Sequence, residues 1–256
     1  AAAPELFGYQ EGQKGSASLV SLSWAQIHGS QDRPVPFRAR PEELADPLLQ
    51  AALHPIVRPH VRMSHRGAAD ATGRGLFDES LVAAGHRFTF EVAVRDRDRE
   101  DLDELLLILA SAGTRLGGKT RRGCGAFVLR RVLRRTFDLT RTKDRDHYAR
   151  LPVALEEEIP RGLMTDITKE LLSREDHQVS AELTLKPTGY WMIAGGDPPN
   201  DDEHGPDMVP YREPRVIWRD GRGRYAPSVS VVVPGTSLKG VLRHRTAFHL
   251  NCLQGI

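Results

Sequence analysis

Cysteine is scarce: Cys124 and Cys252 are the only two, and they form no C-x-x-C pair. That speaks against a disulfide framework and against a cysteine zinc site, and it makes a reducing cytoplasm the default setting. Metal signatures are lacking as well. His54, His60 and His65 lie close together, but no H-x-x-x-H or H-E-x-x-H pattern occurs. The acidic, proline-rich stretch 195–207 has no EF-hand spacing. No apolar run approaches the roughly 18 residues a membrane span needs, and Ala1-Ala2-Ala3-Pro4 carries no signal-peptide pattern. The expectation is a cytoplasmic protein with no membrane partner. No sign of charge dominates, the formal net charge being +2. That sum conceals an uneven distribution. Cations crowd residues 115–145, and anions crowd 156–158 and 197–207. Local clustering of this kind is the electrostatic footprint of a nucleic-acid site. At 256 residues, 39% hydrophobic and 27% charged, the chain can bury one large core or two modest ones.

Glycine is where the sequence becomes specific. Residues 117–125 read Gly-Gly-Lys-Thr-Arg-Arg-Gly-Cys-Gly, with four glycines and three cations in nine positions. Glycine permits positive φ and close approach of a ligand. Consecutive N–H groups in such a loop can form an anion-binding nest. Arginine adds a planar fork for phosphate, and lysine a point charge. Residues 113–120 also fit G-x-x-x-x-G-K-[ST], the P-loop of nucleotide hydrolases. A P-loop needs a strand before it and a helix after it, and the flanking patterns here are the reverse. Leu102, Leu105, Leu106, Leu109 and Ala112 have helical spacing, with Glu100, Asp101, Asp103 and Glu104 at the acidic start. The helix ends at Gly113, and residues 126–133 read as a strand.

Along the rest of the chain, Ser16–Ile27 reads as one strand, and Leu44, Leu48 and Leu49 as one short helix opened by Pro41. Ile56–Arg66 mixes apolar and basic residues, a strand whose exposed side faces an anion or is simply polar. Gly67–Gly85 is a polar excursion. Phe88, Phe90, Val92 and Val94 alternate with polar residues and predict a strand with one buried face. Residues 138–178 are largely polar, with a short helix at 165–173. Val179–Lys186 alternates again. Val229–Val233 leads through Pro234-Gly235 into a helix with Leu238, Val241 and Leu242 inward and Thr236 or Ser237 as N-cap.

Two stretches now stand together: residues 117–125 after a helix, and residues 234–243, Pro-Gly-Thr-Ser-Leu-Lys-Gly-Val-Leu-Arg, entering one. The pair resembles the RAMP superfamily of CRISPR effector proteins, in particular the backbone subunits of type III complexes. The hallmarks there are P-G-[ST]-S-[LI]-K-G-x-[LI]-R and G-G-x-[TS]-x-x-G-x-G. Leu6-Phe7-Gly8 looks like the L-F-G that follows the first of these, and Tyr190–Pro210 like the loop before it, which ends in Asp-x-x-Pro. The resemblance covers most of the chain except 138–178.

The resemblance implies an α+β, ferredoxin-like and RRM-related fold with an antiparallel sheet. The motif order is circularly rotated here, which implies a segment of a tandem, fused effector chain. Residues 1–137 would be the C-terminal part of one RAMP domain, 138–178 a linker or insertion, and 179–256 the N-terminal part of a following domain. The implied partners are guide crRNA, complementary target RNA, and other CRISPR effector subunits or fused RAMP domains. The RNA-binding set is Gly117, Gly118, Lys119, Thr120, Arg121, Arg122, Gly123, Gly125, Ser237, Lys239 and Arg243. RRM base-stacking aromatics are missing, which favours grip on the RNA backbone over base reading. The family's target-cleaving loop aspartate corresponds to Asp207, with Asp201 and Asp202 as alternatives. No cofactor is assigned, and a divalent metal is the one candidate for the cleavage step. The other readings are a stand-alone, non-catalytic RNA-binding module and a P-loop nucleotide hydrolase.

Overall fold

The computed structural model of the protein describes residues 6–64, 75–95, 99–173, 182–196 and 209–255. Helix and strand mix along the chain, every multi-residue ladder is antiparallel, and the α+β class expected from the sequence holds. Among the described residues each ladder has two strands.

The expected long strand 16–27 is split. Val20–Leu22 pairs with Val92–Val94, and Gln26–Ile27 pairs with Phe88–Thr89. Between the two ladders, Ser23–Ala25 face only Phe90–Glu91, so the register slips by one residue. Serine side chains compete with the ladder here. Ser18 Oγ accepts from Val20 N at 3.1 Å, and Ser23 Oγ accepts from Glu91 N at 2.8 Å. A one-residue slip turns side chains to the other face, and Phe88, expected inward, is exposed.

The single helix expected near residue 44 is two. Pro41–Leu44 ends, and Pro47–Leu53 begins behind Asp46, whose carboxylate accepts from Leu48 N at 2.8 Å. Proline at the first helical position and an aspartate cap start a new helix. Leu48 and Leu49 are buried, whereas Leu44 is exposed.

Ile56–Val61 pairs with Leu76–Leu81, the second strand lying inside what the sequence suggested was a polar excursion. The basic residues of the first strand, expected on an exposed side, turn inward instead. Arg58, His60, Phe77 and Glu79 lie on the more buried face, and Val57, Val61 and Leu76 are exposed.

Helix Arg99–Ala110 carries Leu106 into a small cleft shared with Ile167 and Leu171 of the region around helix Thr168–Leu172. Residues 138–173 also contain the helix Thr142–Tyr148. Leu133–Arg134 pairs with Thr165–Asp166. The strand expected over 126–133 is reduced to that pair and a bridge between Arg115 and Ala126.

The longest ladder was not anticipated: Arg212–Arg219 against Arg222–Val231. Its two-residue turn, Asp220-Gly221, has φ of 48° and 71°, as a type I′ turn requires. This hairpin packs on the first half of the chain. Val216 N donates to Ala84 O at 2.8 Å, and Trp218 Nε1 donates to Gly85 O at 2.7 Å. Arg87 lies over the Trp218 ring at 4.1 Å. Leu48, fully buried, meets Gly223 at the same junction.

Two expectations fail in the last third of the chain. Residues 182–186 join no strand, and Val179–Ala181 lie outside the described residues. Helix Gly235–Gln254 leaves Leu238, Val241 and Leu242 exposed instead of inward. Its cap position is Pro234, so Thr236 and Ser237 sit within the first turn and cap nothing.

Candidate nucleic-acid interface

The glycine loop hangs from the end of helix Arg99–Ala110 and is closed at its neck by Leu116 N donating to Gly125 O at 2.9 Å. Gly125 has φ of 78°, and a Cβ there would stand 2.1 Å from the Leu116 carbonyl oxygen. Only glycine fits both constraints. At the tip, Lys119 is left-handed at φ 59° and leads into a single 3₁₀ turn, Thr120–Arg122. A helix thus precedes the loop and a three-residue turn lies within it, the reverse of the strand–loop–helix that a P-loop needs.

Glu79, on the inner face of hairpin 56–81, anchors the loop from beneath. Its Oε1 is 2.9 Å from Lys119 Nζ and 3.0 Å from Arg122 NH1, and its Oε2 is 3.3 Å from His60 Nε2. The Glu79 side chain is 9% exposed, against 47% for Lys119 and 40% for Arg122. The hydrogen bond from Lys119, with the neighbouring His60, Lys119 and Arg122, holds the Glu79 carboxyl below its ordinary range despite burial. His60 stacks on Phe77 at 5.2 Å and fixes the floor of the site. Arg58, the other cation of this inner face, turns to a different carboxylate. It pairs with Glu213 and donates from Nε to Tyr211 OH at 3.2 Å. Neither Arg58 nor His60 is a free cation on an exposed strand, as the alternation had suggested.

The second motif arrives at the same place. Buried Pro234 ends the long hairpin, and Gly235 opens the helix against the loop. A Cβ on Gly235 would lie 3.0 Å from the Arg122 carbonyl oxygen. Lys239 Nζ reaches to 3.4 Å from Arg121 O. Arg243 is one turn further along the same helical face, and both it and Arg121 are exposed. The structure therefore brings together two stretches more than a hundred residues apart, through Arg121 and Arg122 from one and Gly235 and Lys239 from the other.

Two motif glycines meet no neighbour among the described residues. A Cβ at Gly118 or at Gly240 would meet nothing within 4 Å, and neither has a left-handed φ. Gly240 sits inside an exposed helix, where glycine costs about 1 kcal/mol relative to alanine. The fold alone gives no reason for either.

Sequence reasoning missed Glu79. The alternation Phe77, Glu79, Leu81 was the available signal, since it puts the carboxylate on the side of the hairpin that turns inward. Asp201, Asp202 and Asp207 lie outside the described residues. Among the described residues, no three His, Cys, Asp or Glu side chains converge as metal ligands, and no helix is long and apolar enough to cross a membrane.

No curated protein matches the chain. The family model of the RAMP superfamily matches residues 2–128, about half of the chain and the half that carries the glycine loop. RAMP proteins bind CRISPR RNA and partner subunits, and the match points to CRISPR-associated RNA binding. On that match the chain belongs to the RAMP superfamily.

Proposed function

We propose that the chain grips the guide RNA of a CRISPR type III effector, within an antiviral assembly of other effector subunits or fused RAMP domains. The observation that carries this reading is the abutment of the two motifs, with Gly235 against the Arg122 carbonyl and Lys239 beside Arg121. Arg121, Lys239 and Arg243 then offer cations along one surface, and the open flanks of Gly118 and Gly240 leave room for a sugar–phosphate backbone. Such contacts hold RNA of any sequence and leave the reading of sequence to base pairing. Filter binding of crRNA, with and without ATP, tests the proposal. Tight binding independent of ATP is expected, and ATP-dependent behaviour would return the loop to nucleotide chemistry.

The cleavage reading rests on Asp207, with Asp201 and Asp202 as alternatives in the same loop. A carboxylate within roughly 3 Å of a ribose 2′-OH can orient it or accept its proton, and neighbouring cations offset charge on the phosphorane. Asp207→Ala is expected to abolish cleavage of RNA paired to the guide while leaving both affinities nearly intact. Denaturing gels, run with and without divalent metal beside a binding titration, read the outcome. Full cleavage by all three alanine variants would remove this loop from the mechanism.

A further inference from the structure

We infer that Glu79 acts as an internal counter-anion that holds Lys119 and Arg122 back from RNA phosphate, so that Arg121, Lys239 and Arg243 carry the salt-dependent contacts. The inference rests on the RNA-binding reading of this surface and deepens it. Three side chains from two segments converge on one carboxylate: Lys119 at 2.9 Å, Arg122 at 3.0 Å and His60 at 3.3 Å. A phosphate oxygen would draw the same set of donors. The Glu79 charge is nearly buried whereas the cations are half-exposed, so salt screens the internal pairs less than it screens contacts with RNA. By contrast, no carboxylate lies within ion-pair distance of Arg121, Lys239 or Arg243 among the described residues. The helix that bears the last two has no acidic residue between Gly235 and Gln254.

The arrangement makes a prediction opposite to that of a simple supporting role. Glu79→Gln keeps the shape and an acceptor for Lys119 but removes the charge. Both cations become available to RNA, and the site gains one net positive unit. With single-stranded RNA as probe, the dependence of log affinity on log salt is expected to steepen by about 0.7, for the one net charge gained. Affinity near 0.1 M salt is expected to rise about two- to fivefold, as one exposed ion pair would provide. Arg121→Ala and Lys239→Ala are each expected to flatten the wild-type slope by about 0.7, and Lys119→Ala to flatten it by clearly less. Thermal melts of each variant establish that it is folded.

A Glu79→Gln protein with weaker binding or a flatter slope would overturn the inference and leave Glu79 a positioning group only. If that variant does not fold, the comparison of Lys119→Ala with Arg121→Ala decides, and equal flattening by both overturns it. Wild-type protein that shows no salt-dependent RNA binding at all would instead sink the RNA-binding reading itself.

Discussion

Gly240 separates the needs of the fold from the needs of a ligand, and Gly240→Ala is the sharpest single perturbation of this surface. The residue lies in the second turn of an exposed twenty-residue helix, and an added methyl would meet no atom within 4 Å. In the free protein the substitution should therefore recover the full helix-propensity difference, about 1 kcal/mol, partly through a less disordered unfolded chain. For a protein of this size that corresponds to a rise of about 2–4 °C in Tm. RNA binding should move the other way. If the backbone of the guide closes on this position next to Lys239, a methyl holds it off. The loss of one charge-assisted hydrogen bond, about 1.5 kcal/mol or more, is roughly a tenfold weaker affinity. Differential scanning fluorimetry and filter binding on the same preparation read both signs. A higher Tm with unchanged affinity would refute the assignment of Gly240 to a ligand contact. A lower Tm would show that the position is crowded, against the geometry.

Other outcomes follow from the buried polar contacts. Arg58→Met strands Glu213 and Tyr211, which it now holds, and should cost about 2–3 kcal/mol in denaturant unfolding, part of it regained in the Arg58→Met, Glu213→Gln double variant. Gly125→Ala drives a Cβ onto the Leu116 carbonyl at positive φ, and should destabilise by more than about 1 kcal/mol and lower the urea midpoint. The Glu79 carboxyl titrates lower in the folded protein than its reference value of 4.5. Its stabilising contribution is therefore complete above that value and lost as pH falls through the folded pKa. Melting curves between about pH 5 and 3 should show a steeper loss for wild type than for Glu79→Gln.

Much of the site was legible from residue chemistry because its motifs are local. The glycine loop and the Pro-Gly-Thr-Ser-Leu-Lys-Gly stretch each declare their backbone needs in a few residues, and the helix before the loop follows from leucine spacing. The balance of charge was not legible. That Lys119 and Arg122 share Glu79, and that Arg58 belongs to Glu213, depends on pairings across 40 to 155 residues. Strand lengths were overestimated wherever serine offered the backbone another partner, as at Ser18 and Ser23. One local signal was overlooked: Asp220-Gly221 between two strand-forming runs announces the longest hairpin in the structure. Leu238, Val241 and Leu242 show the limit of periodicity, which identifies an apolar helix face without saying that anything covers it.

The hairpin 56–81 has a consequence for the order of folding. Judged by hydrophobicity alone, the first strand prefers to slip by one residue, which would bury Val57 and Val61 and release Arg58 and His60 to water, whereas Phe77 and Leu81 already face inward on the second. What opposes the slip is supplied from far along the chain, by Lys119 and Arg122 and by Tyr211 and Glu213. Local and global preferences disagree in this element, and the native pairing wins only once the distant segments have docked. The hairpin is therefore expected to form late, gated by long-range contacts. Its amide protons should exchange sooner at high salt, while the ladder 212–231, set by its own two-residue turn, stays protected.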